Sequence, residues 1–214
     1  MKPFDDGRAA NDEFQSTLGG THRGELIRDL LRQRVRMPEP VPNYLKRPAL
    51  TEKLTAAITP GSVLLLEAPS GYGKTRALSA AFRETSRSPD TLRWLALTGQ
   101  ENDAGRLLAL LEIALTPPGA TSRPSGQQKA SSNTDALALL LSDAHWSDSD
   151  RDSVLVIDNV GTVANPAAIA LLQQLVENIP SGLALVMVSR KPLPFETHTF
   201  ELEGRFNRIG ADSL

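Results

Sequence analysis

An octet of small and flexible residues that ends in a lysine and a threonine is the part of this chain best suited to chemistry. It reads Ala68-Pro69-Ser70-Gly71-Tyr72-Gly73-Lys74-Thr75. The glycines allow the backbone to turn so that several amide N–H groups point into one concavity, and the lysine adds an ammonium group there. A polyphosphate suits such a concavity, so the octet is a candidate phosphate-binding loop.

The octet follows the pattern G-x-x-x-x-G-K-[ST] at its last three positions, whereas Ala68 takes the place of the first glycine. Such a short pattern also arises by chance, as a turn whose lysine faces solvent. The context favours phosphate binding, because the aliphatic run Val63–Leu66 precedes the octet and a helical stretch leaves it near Gly73 and continues through Phe82. A helix N-terminus beside the loop would further attract an anion.

A second candidate site follows the aliphatic run Leu155-Val156-Ile157, where Asp158 comes directly after it. At the carboxyl edge of a parallel sheet this carboxylate would emerge beside the loop, where Thr75 and Mg²⁺ would lie between the outer phosphates. A helix or turn cap is the alternative interpretation of Asp158 alone. Thr75 and Asp158 are therefore the candidate metal ligands, and Asp158 is also a catalytic candidate.

The next residue is Asn159, at or near the position where hydrolytic relatives of this arrangement usually have a second carboxylate that orients the attacking water. An amide cannot take the proton. Glu67, directly before the octet, is the nearest acid and is interpreted as a strand-end carboxylate that faces solvent. We therefore expect slow or absent hydrolysis with binding retained.

A guanidinium group is expected at the same edge of the sheet, because Arg190 follows Ser189 at the end of the aliphatic run Val186–Val188. Its planar fork of donors suits a terminal phosphate, which makes Arg190 a candidate for phosphate contact and catalysis. A surface ion pair is an equally good interpretation of this residue.

Alternating strands and helices are the elements that must position these residues. Strands are predicted at Val63–Leu66, Thr91–Leu97, Ser153–Asp158, Leu183–Ser189 and Arg205–Ile209, and helices at Leu50–Ile58, Asp103–Leu115, about Asp135–Ala144 and Pro166–Glu177, besides the one after the octet. The predicted fold class is α/β: a three-layer P-loop NTPase with a mostly parallel five-stranded sheet and helices on both faces.

Composition divides the 214 residues into three parts. Residues 1–22 have the polar, aperiodic composition of a disordered tail, and residues 23–41 combine an amphipathic, basic helix at Gly24–Arg36 with a proline-rich linker. Residues 42–214 form the predicted nucleotide-binding domain, in which 117–134 is a flexible insertion. The basic helix is interpreted as a surface helix docked on the domain, with contact to a partner or nucleic acid as the alternative.

The overall composition excludes several classes of protein. With 23 basic and 25 acidic residues the formal net charge is -2, so nothing calls for nucleic acid or an anionic membrane. The absence of cysteine excludes disulfides and thiolate metal sites, and the three histidines lack zinc-ligand spacing. Without a secretory signal or a membrane-length apolar run, the predicted location is the cytoplasm.

Together these residues resemble the nucleotide-binding domain of the STAND class of signal-transduction ATPases, and within it the large, MalT-like LuxR-type transcriptional regulators. The likeness covers about residues 42–214. It rests on Arg47-Pro48-x-Leu50, the tyrosine-containing octet, Trp94-Leu95-x-Leu97 followed by Asn102-Asp103, the aspartate strand, Ser189-Arg190 and Ile209-Gly210-Ala211-Asp212. The loop tyrosine and the Trp-Leu stretch are the family-specific parts.

The resemblance implies a set of ligand contacts. These are phosphate contacts for Gly71, Gly73, Lys74 and Thr75, metal coordination for Asp158, a phosphate sensor at Arg190 and a place near the nucleotide for Arg47; Ala68, Pro69, Ser70, Tyr72 and Arg76 complete the implied cofactor-binding set. The implied cofactor is ATP or ADP with Mg²⁺, and the preference for adenine comes from the resemblance alone.

The chain departs from the family pattern at two points. Asn159 replaces the usual second acid, which leaves at most a weak ATPase activity as the expectation. Members also continue into a winged-helix segment, a helical sensor array and a DNA-binding helix-turn-helix, whereas this sequence stops at Leu214. We therefore expect no DNA-binding domain in a chain that would be a fragment, a decayed gene product or a stand-alone domain acting through a partner.

The expected function is that of an ATP/ADP-binding regulatory domain of a truncated transcriptional regulator. Its expected partners are the nucleotide and either another protein or a second copy that meets it through the nucleotide domain, and no membrane. A conventional P-loop ATPase or kinase is the first alternative, and a nucleotide-independent interaction module is the second.

Overall fold

One parallel sheet organises the protein, whose structure is a computed structural model that describes residues 35–39, 44–85, 91–116, 132–142 and 153–214. Its strands are β1 (Val63–Glu67), β2 (Leu92–Ala96), β3 (Ser153–Asp158), β4 (Leu183–Ser189) and β5 (Phe206–Ile209). Their order is β2-β3-β4-β1-β5, and every neighbouring pair is parallel. The carboxyl ends therefore share one edge, which gathers the residues that follow the strands.

Six α-helices lie in the described ranges, and three of them begin at a residue whose side chain caps the first turn. They are α1 (Pro48–Ala57), α2 (Lys74–Glu84), α3 (Ala104–Leu115), α4 (Asn133–Leu141), α5 (Pro166–Glu177) and the short α6 (His198–Leu202). The side chains of Asp103, Ser132 and Asn165 accept from backbone N–H groups at the starts of α3, α4 and α5. Within these ranges no helix has both the length and the apolar character that crossing a membrane needs.

An apolar layer covers each face of the sheet, because the central strands carry apolar residues on both faces. Leu64 and Leu66 of β1 join the layer beneath α1 and α2, whereas Val63 and Leu65 join the layer beneath α3, α4 and α5. All residues of β4 are buried. This three-layer architecture confirms the predicted α/β P-loop NTPase fold, with a sheet that is parallel throughout.

The strands match their predicted bounds to within one residue at each end, whereas three helix boundaries need correction. Val35 and Arg36, the end of the predicted Gly24–Arg36 helix, form a bend. α4 begins at Asn133, inside the predicted 117–134 insertion, because the Ser132 hydroxyl accepts from the Asp135 N–H and caps the helix. α4 also ends before Ala144, at Leu141. The predicted tail 1–22, residues 24–34 of the predicted helix and residues 117–131 of the predicted insertion lie outside the described residues.

Candidate functional site

The loop between β1 and α2 has the backbone conformation of an anion-binding turn. Gly71 and Gly73 have φ angles of 90° and 76°, in the left-handed region that favours glycine. A Cβ at either position would meet no heavy atom of a described residue within 4 Å, so conformation rather than space requires the glycines. Gly73 is also the N-cap of α2 and has no side chain to cap that end. The first N–H groups of α2 are therefore available to a ligand.

Lys74 lies at the start of α2 with 7% of its surface exposed. Its Nζ donates to the Pro69 carbonyl at 2.8 Å and also to the Ala68 carbonyl. Burial lowers the pKa of Lys74, the positive charge of Arg190 lowers this pKa further, and the charge of Asp158 opposes both. The ammonium group is thus held against the loop, from where it can exchange these carbonyls for phosphate oxygens.

Thr75 and Asp158 meet at the carboxyl edge of the sheet, although β4 separates β3 from β1. Thr75 Oγ1 donates to Asp158 Oδ2 at 2.8 Å. Burial raises the pKa of Asp158, and the hydrogen bonds from Thr75 and from the Asn159 backbone offset part of this increase. The aspartate is therefore a desolvated carboxylate with a hydroxyl at hydrogen-bond distance.

This pair fits a magnesium ion. Mg²⁺ prefers hard oxygen donors, binds through one or two protein ligands, and completes its octahedral shell with phosphates and water. Thr75 Oγ1 and Asp158 Oδ2 supply two such oxygens side by side. In the described ranges no cluster of three or more His, Cys, Asp or Glu side chains could hold a metal ion by itself.

A cavity of about 510 Å³ opens over these residues. Four segments of the carboxyl edge line it: Ser70, Gly71, Gly73, Lys74, Thr75 and Arg76; Ala96 and Leu97; Asp158 and Asn159; and Val188, Ser189 and Arg190. Arg190 is exposed, and its guanidinium makes no hydrogen bond or ion pair with the described part of the chain. The structure therefore brings the loop, the aspartate and the arginine that the sequence singled out into one space.

Asn159 ties the end of β3 to the end of β2. It adopts the left-handed conformation, with φ 66° and ψ 35°, and its Nδ2 donates to the Leu97 carbonyl at 3.1 Å. Asp158 is the single carboxylate among the described residues that line the cavity. At the position where hydrolytic relatives usually have a second carboxylate, Asn159 thus uses its amide to join two strand ends. The described residues of the lining contain no carboxylate besides Asp158.

Some residues of the predicted set lie away from the cavity. The Arg47 guanidinium donates to the Leu214 carbonyl at 2.7 Å, and Arg47 is the N-cap of α1. Arg47 does not line this cavity, and its expected place near the nucleotide stays a prediction. Tyr72 is 42% exposed and does not line the cavity, and Ala68 and Pro69 take part through the carbonyls that bind Lys74.

Glu67 also differs from its sequence-based interpretation as a solvent-facing carboxylate. Its Oε2 accepts from Arg208 Nη1 at 3.2 Å, and its side chain is 22% exposed. The pairing arises because Arg208 lies on β5, the strand beside β1. Glu67 does not line the cavity.

A second cavity, of about 540 Å³, lies beside the first, and no sequence pattern predicted it. Its lining comprises Pro38, Glu39, Tyr44, Lys46, Thr75, Arg76, Ser79, Ala80, Arg83 and Glu84, so Thr75 and Arg76 border both cavities. Ser79 is buried, and its hydroxyl has no hydrogen-bond partner among the described residues. The linker-like composition before Arg47 gave no signal that these residues help to form a pocket with α2.

Comparisons with known proteins add relatives and a fold neighbour, although no family model matches the chain. The HTH-type transcriptional regulator MalT of Klebsiella pneumoniae is 24% identical over 189 residues, which are 81% of this chain and 20% of that protein. MalT of Cronobacter sakazakii is 27% identical over the same shares. The chain thus spans about a fifth of the length of these curated relatives.

A solved structure supports the same fold. A chain in the structure of Drosophila ORC bound to DNA has a TM-score of 0.50 at 20% identity, over 79% of this chain and 44% of that one. The chain therefore contains an α/β domain of the P-loop NTPase fold, homologous to the transcriptional regulator MalT over 81% of its length.

Proposed function

We propose that this domain binds ATP or ADP with Mg²⁺ and serves a regulatory rather than a metabolic purpose, with slow or absent hydrolysis. The observation that carries the proposal is the convergence of the loop amides, the Lys74 ammonium, the Thr75–Asp158 pair and the Arg190 guanidinium on one cavity of about 510 Å³. Three positive or donor groups facing a desolvated carboxylate are what a polyphosphate with its cation requires.

The phosphate part of the ligand is assigned to the loop. Gly71 and Gly73 allow the backbone N–H groups to face the cavity. Lys74 contributes a positive charge, and its ammonium group donates to the Ala68 and Pro69 carbonyls in the absence of ligand. The Arg190 guanidinium, which makes no hydrogen bond or ion pair with the described residues, is assigned to the terminal phosphate. Thr75 and Asp158 would hold Mg²⁺, which supplies neutralisation of phosphate charge when bound.

The nucleoside part is assigned to the second cavity. This cavity adjoins the first at Thr75 and Arg76, Tyr44 and Ala80 supply apolar surface, and the unpartnered Ser79 hydroxyl offers a hydrogen bond. The substitution Ala80→Leu would fill part of it. We expect Ala80→Leu to weaken ATP binding at least tenfold, about 1.4 kcal/mol, and to leave inorganic tripolyphosphate binding unchanged. Ala56→Leu, on the exposed face of α1, is the matched control.

The carboxylate content of the described cavity lining supports slow hydrolysis. Asp158 is engaged with Thr75, and Asn159 uses its amide to bind the Leu97 carbonyl. With Asp158 assigned to Mg²⁺ and an amide at Asn159, the described residues that line the cavity offer no second carboxylate to accept a proton from an attacking water. The domain is therefore proposed to report nucleotide occupancy rather than to consume nucleotide.

The regulatory part of the proposal is supported by homology to MalT, a transcriptional regulator by name. We propose that the domain is of the STAND class, acts in the cytoplasm, and transmits its nucleotide state to a protein partner or to a second copy. A conventional ATPase or kinase would instead turn nucleotide over, and an interaction module would ignore it.

Thermal melting and calorimetry with ATP or ADP, with and without Mg²⁺, test the proposal. We expect both nucleotides to stabilise the wild type, Mg²⁺ to strengthen the effect, and Lys74→Ala to abolish it. Lys53→Ala, which removes an exposed lysine of α1, is the matched control. Absence of binding would favour the interaction module. Steady phosphate release that Lys74→Ala abolishes, or phosphate transfer to an acceptor, would favour the ATPase or kinase.

A further inference from the structure

Ser189, the last residue of β4, forms the turn that carries Arg190. The side chain of Ser189 is fully buried. Its Oγ donates to the Lys191 carbonyl at 2.6 Å and accepts from the Lys191 backbone N–H at 3.2 Å. Both contacts reach across Arg190 to the next residue, so one hydroxyl fixes the backbone on either side of the arginine.

The same residue is anchored to the phosphate loop. Ser189 pairs with Glu67 in the β1–β4 register, and its carbonyl accepts from the Ala68 backbone N–H at 3.3 Å. Ala68 is the first residue of the octet. The position of Arg190 is therefore fixed relative to the loop by a buried side chain and by a strand pairing.

Gly161 keeps the space that this turn requires. It lies in the 3₁₀ turn Val160–Thr162, which follows the aspartate strand β3. A Cβ at Gly161 would lie 3.0 Å from Ser189 Oγ and 3.8 Å from the Arg190 backbone N. The nearer distance is tighter than nine in ten real Cβ contacts, so an alanine there would require the hydroxyl that closes the turn to shift by a few tenths of an ångström.

We propose that Ser189 is a positioning residue that aims Arg190 at the terminal phosphate, and that Gly161 is small because it must leave the Ser189 hydroxyl in place. This inference rests on the proposed function and deepens it, because it identifies what lets the site distinguish a triphosphate from a diphosphate. A guanidinium whose backbone is fixed relative to the loop can reach the third phosphate of ATP, which ADP lacks.

Calorimetry with ATP–Mg²⁺ and ADP–Mg²⁺ on single variants tests the inference. Arg190→Ala sets the limit by removing the guanidinium. We expect Ser189→Ala and Gly161→Ala each to lower the ratio of ATP to ADP affinity by about fivefold, as for a misplaced charged contact, with ADP affinity within about twofold of wild type. Ser153→Ala and Gly99→Ala, on residues that do not line the cavity, are matched controls and should leave the ratio unchanged.

A double variant separates positioning from general damage. If Gly161→Ala acts through the Ser189 hydroxyl, it should change nothing further in the Ser189→Ala background, where that hydroxyl is gone. Neither variant should lower the ratio in the Arg190→Ala background. An unchanged ratio in Ser189→Ala, or equal losses of ATP and ADP affinity, would overturn the inference while the proposed function stands. If the wild type binds neither nucleotide, the proposed function fails and this inference fails with it. Should Gly161→Ala not fold, Ser189→Ala alone decides.

Discussion

Replacing Thr75 by valine removes one hydroxyl while keeping the shape of the side chain. In the nucleotide-free protein this hydroxyl joins α2 to the end of β3 through its 2.8 Å bond to Asp158. A hydrogen bond to a charged group contributes about 1.5–3 kcal/mol. In a domain of this size each kcal/mol corresponds to about 2–4 °C in melting temperature, so Thr75→Val should melt about 3–12 °C below the wild type.

The bond also predicts a pH dependence. Because the Thr75 hydrogen bond lowers the pKa of Asp158, its stabilising contribution is present where the carboxylate is ionised and is lost as the pH falls through that pKa. The difference in melting temperature between wild type and Thr75→Val should therefore narrow in acid. Thr75→Ser keeps the hydroxyl and is the matched control.

Calorimetry with ATP completes this test. Since Thr75 would also be a ligand of Mg²⁺, we expect Thr75→Val to lose at least tenfold in affinity for ATP with Mg²⁺, about 1.4 kcal/mol, and much less without Mg²⁺. Thr75→Ser should behave like the wild type in both conditions. Equal melting temperatures for all three proteins, or the same loss of affinity with and without Mg²⁺, would refute the assigned roles.

Three further predictions concern neighbouring features. Burial raises the pKa of Asp158, so its negative charge destabilises the folded protein at neutral pH, and Asp158→Asn without ligand should melt at a higher temperature than the wild type at pH 7. This difference should disappear as the pH falls through the raised pKa toward 3.8, because the wild-type carboxyl is then protonated. In Asp158→Asn, Mg²⁺ should no longer strengthen nucleotide binding. Gly73 has a φ of 76°, so Gly73→Ala should lower the free energy of unfolding by about 1–2 kcal/mol and weaken ATP binding, whereas Gly99→Ala does neither. Asp103 Oδ1 accepts from the Arg106 N–H at 2.8 Å and caps α3; Asp103→Ala should cost about 1 kcal/mol in chemical denaturation and leave nucleotide affinity unchanged.

The parts of the fold that short-range patterns determine could be predicted from the sequence. Apolar runs such as Ser153–Asp158 and Leu183–Ser189 are strands with the bounds expected, because burial on both faces leaves a continuous hydrophobic signal. The loop was identified from its glycines and lysine, and Asp158 from its place after a strand. Since parallel strands end at one edge of the sheet, these local patterns were sufficient to predict that Thr75 and Asp158 lie close together.

Contacts that depend on how elements approach each other could not be predicted. The sequence does not reveal that Arg47 lies against Leu214, or that Arg208 on the neighbouring strand pairs with Glu67. Gly161 is an ordinary glycine in the sequence, and only its distance from Ser189 gives it a role. In each case the missing information is the distance between residues far apart along the chain.

Helix α2 contacts the candidate phosphate site at its first residues and the segment before α1 at its last turn. Its first residues contact the candidate phosphate site, and at its last turn Arg83 Nη2 donates to the Pro38 carbonyl while Glu84 lies 3.9 Å from Lys46. A helix of 11 residues is about 16 Å long. A helix this short is stiff along its axis. A ligand that shifts its first residues should therefore also change the contacts of its last turn with Pro38 and Lys46. The rate of tryptic cleavage after Arg36 or Lys46 should therefore change with nucleotide occupancy, the more so because Pro38 and Lys46 also line the second cavity.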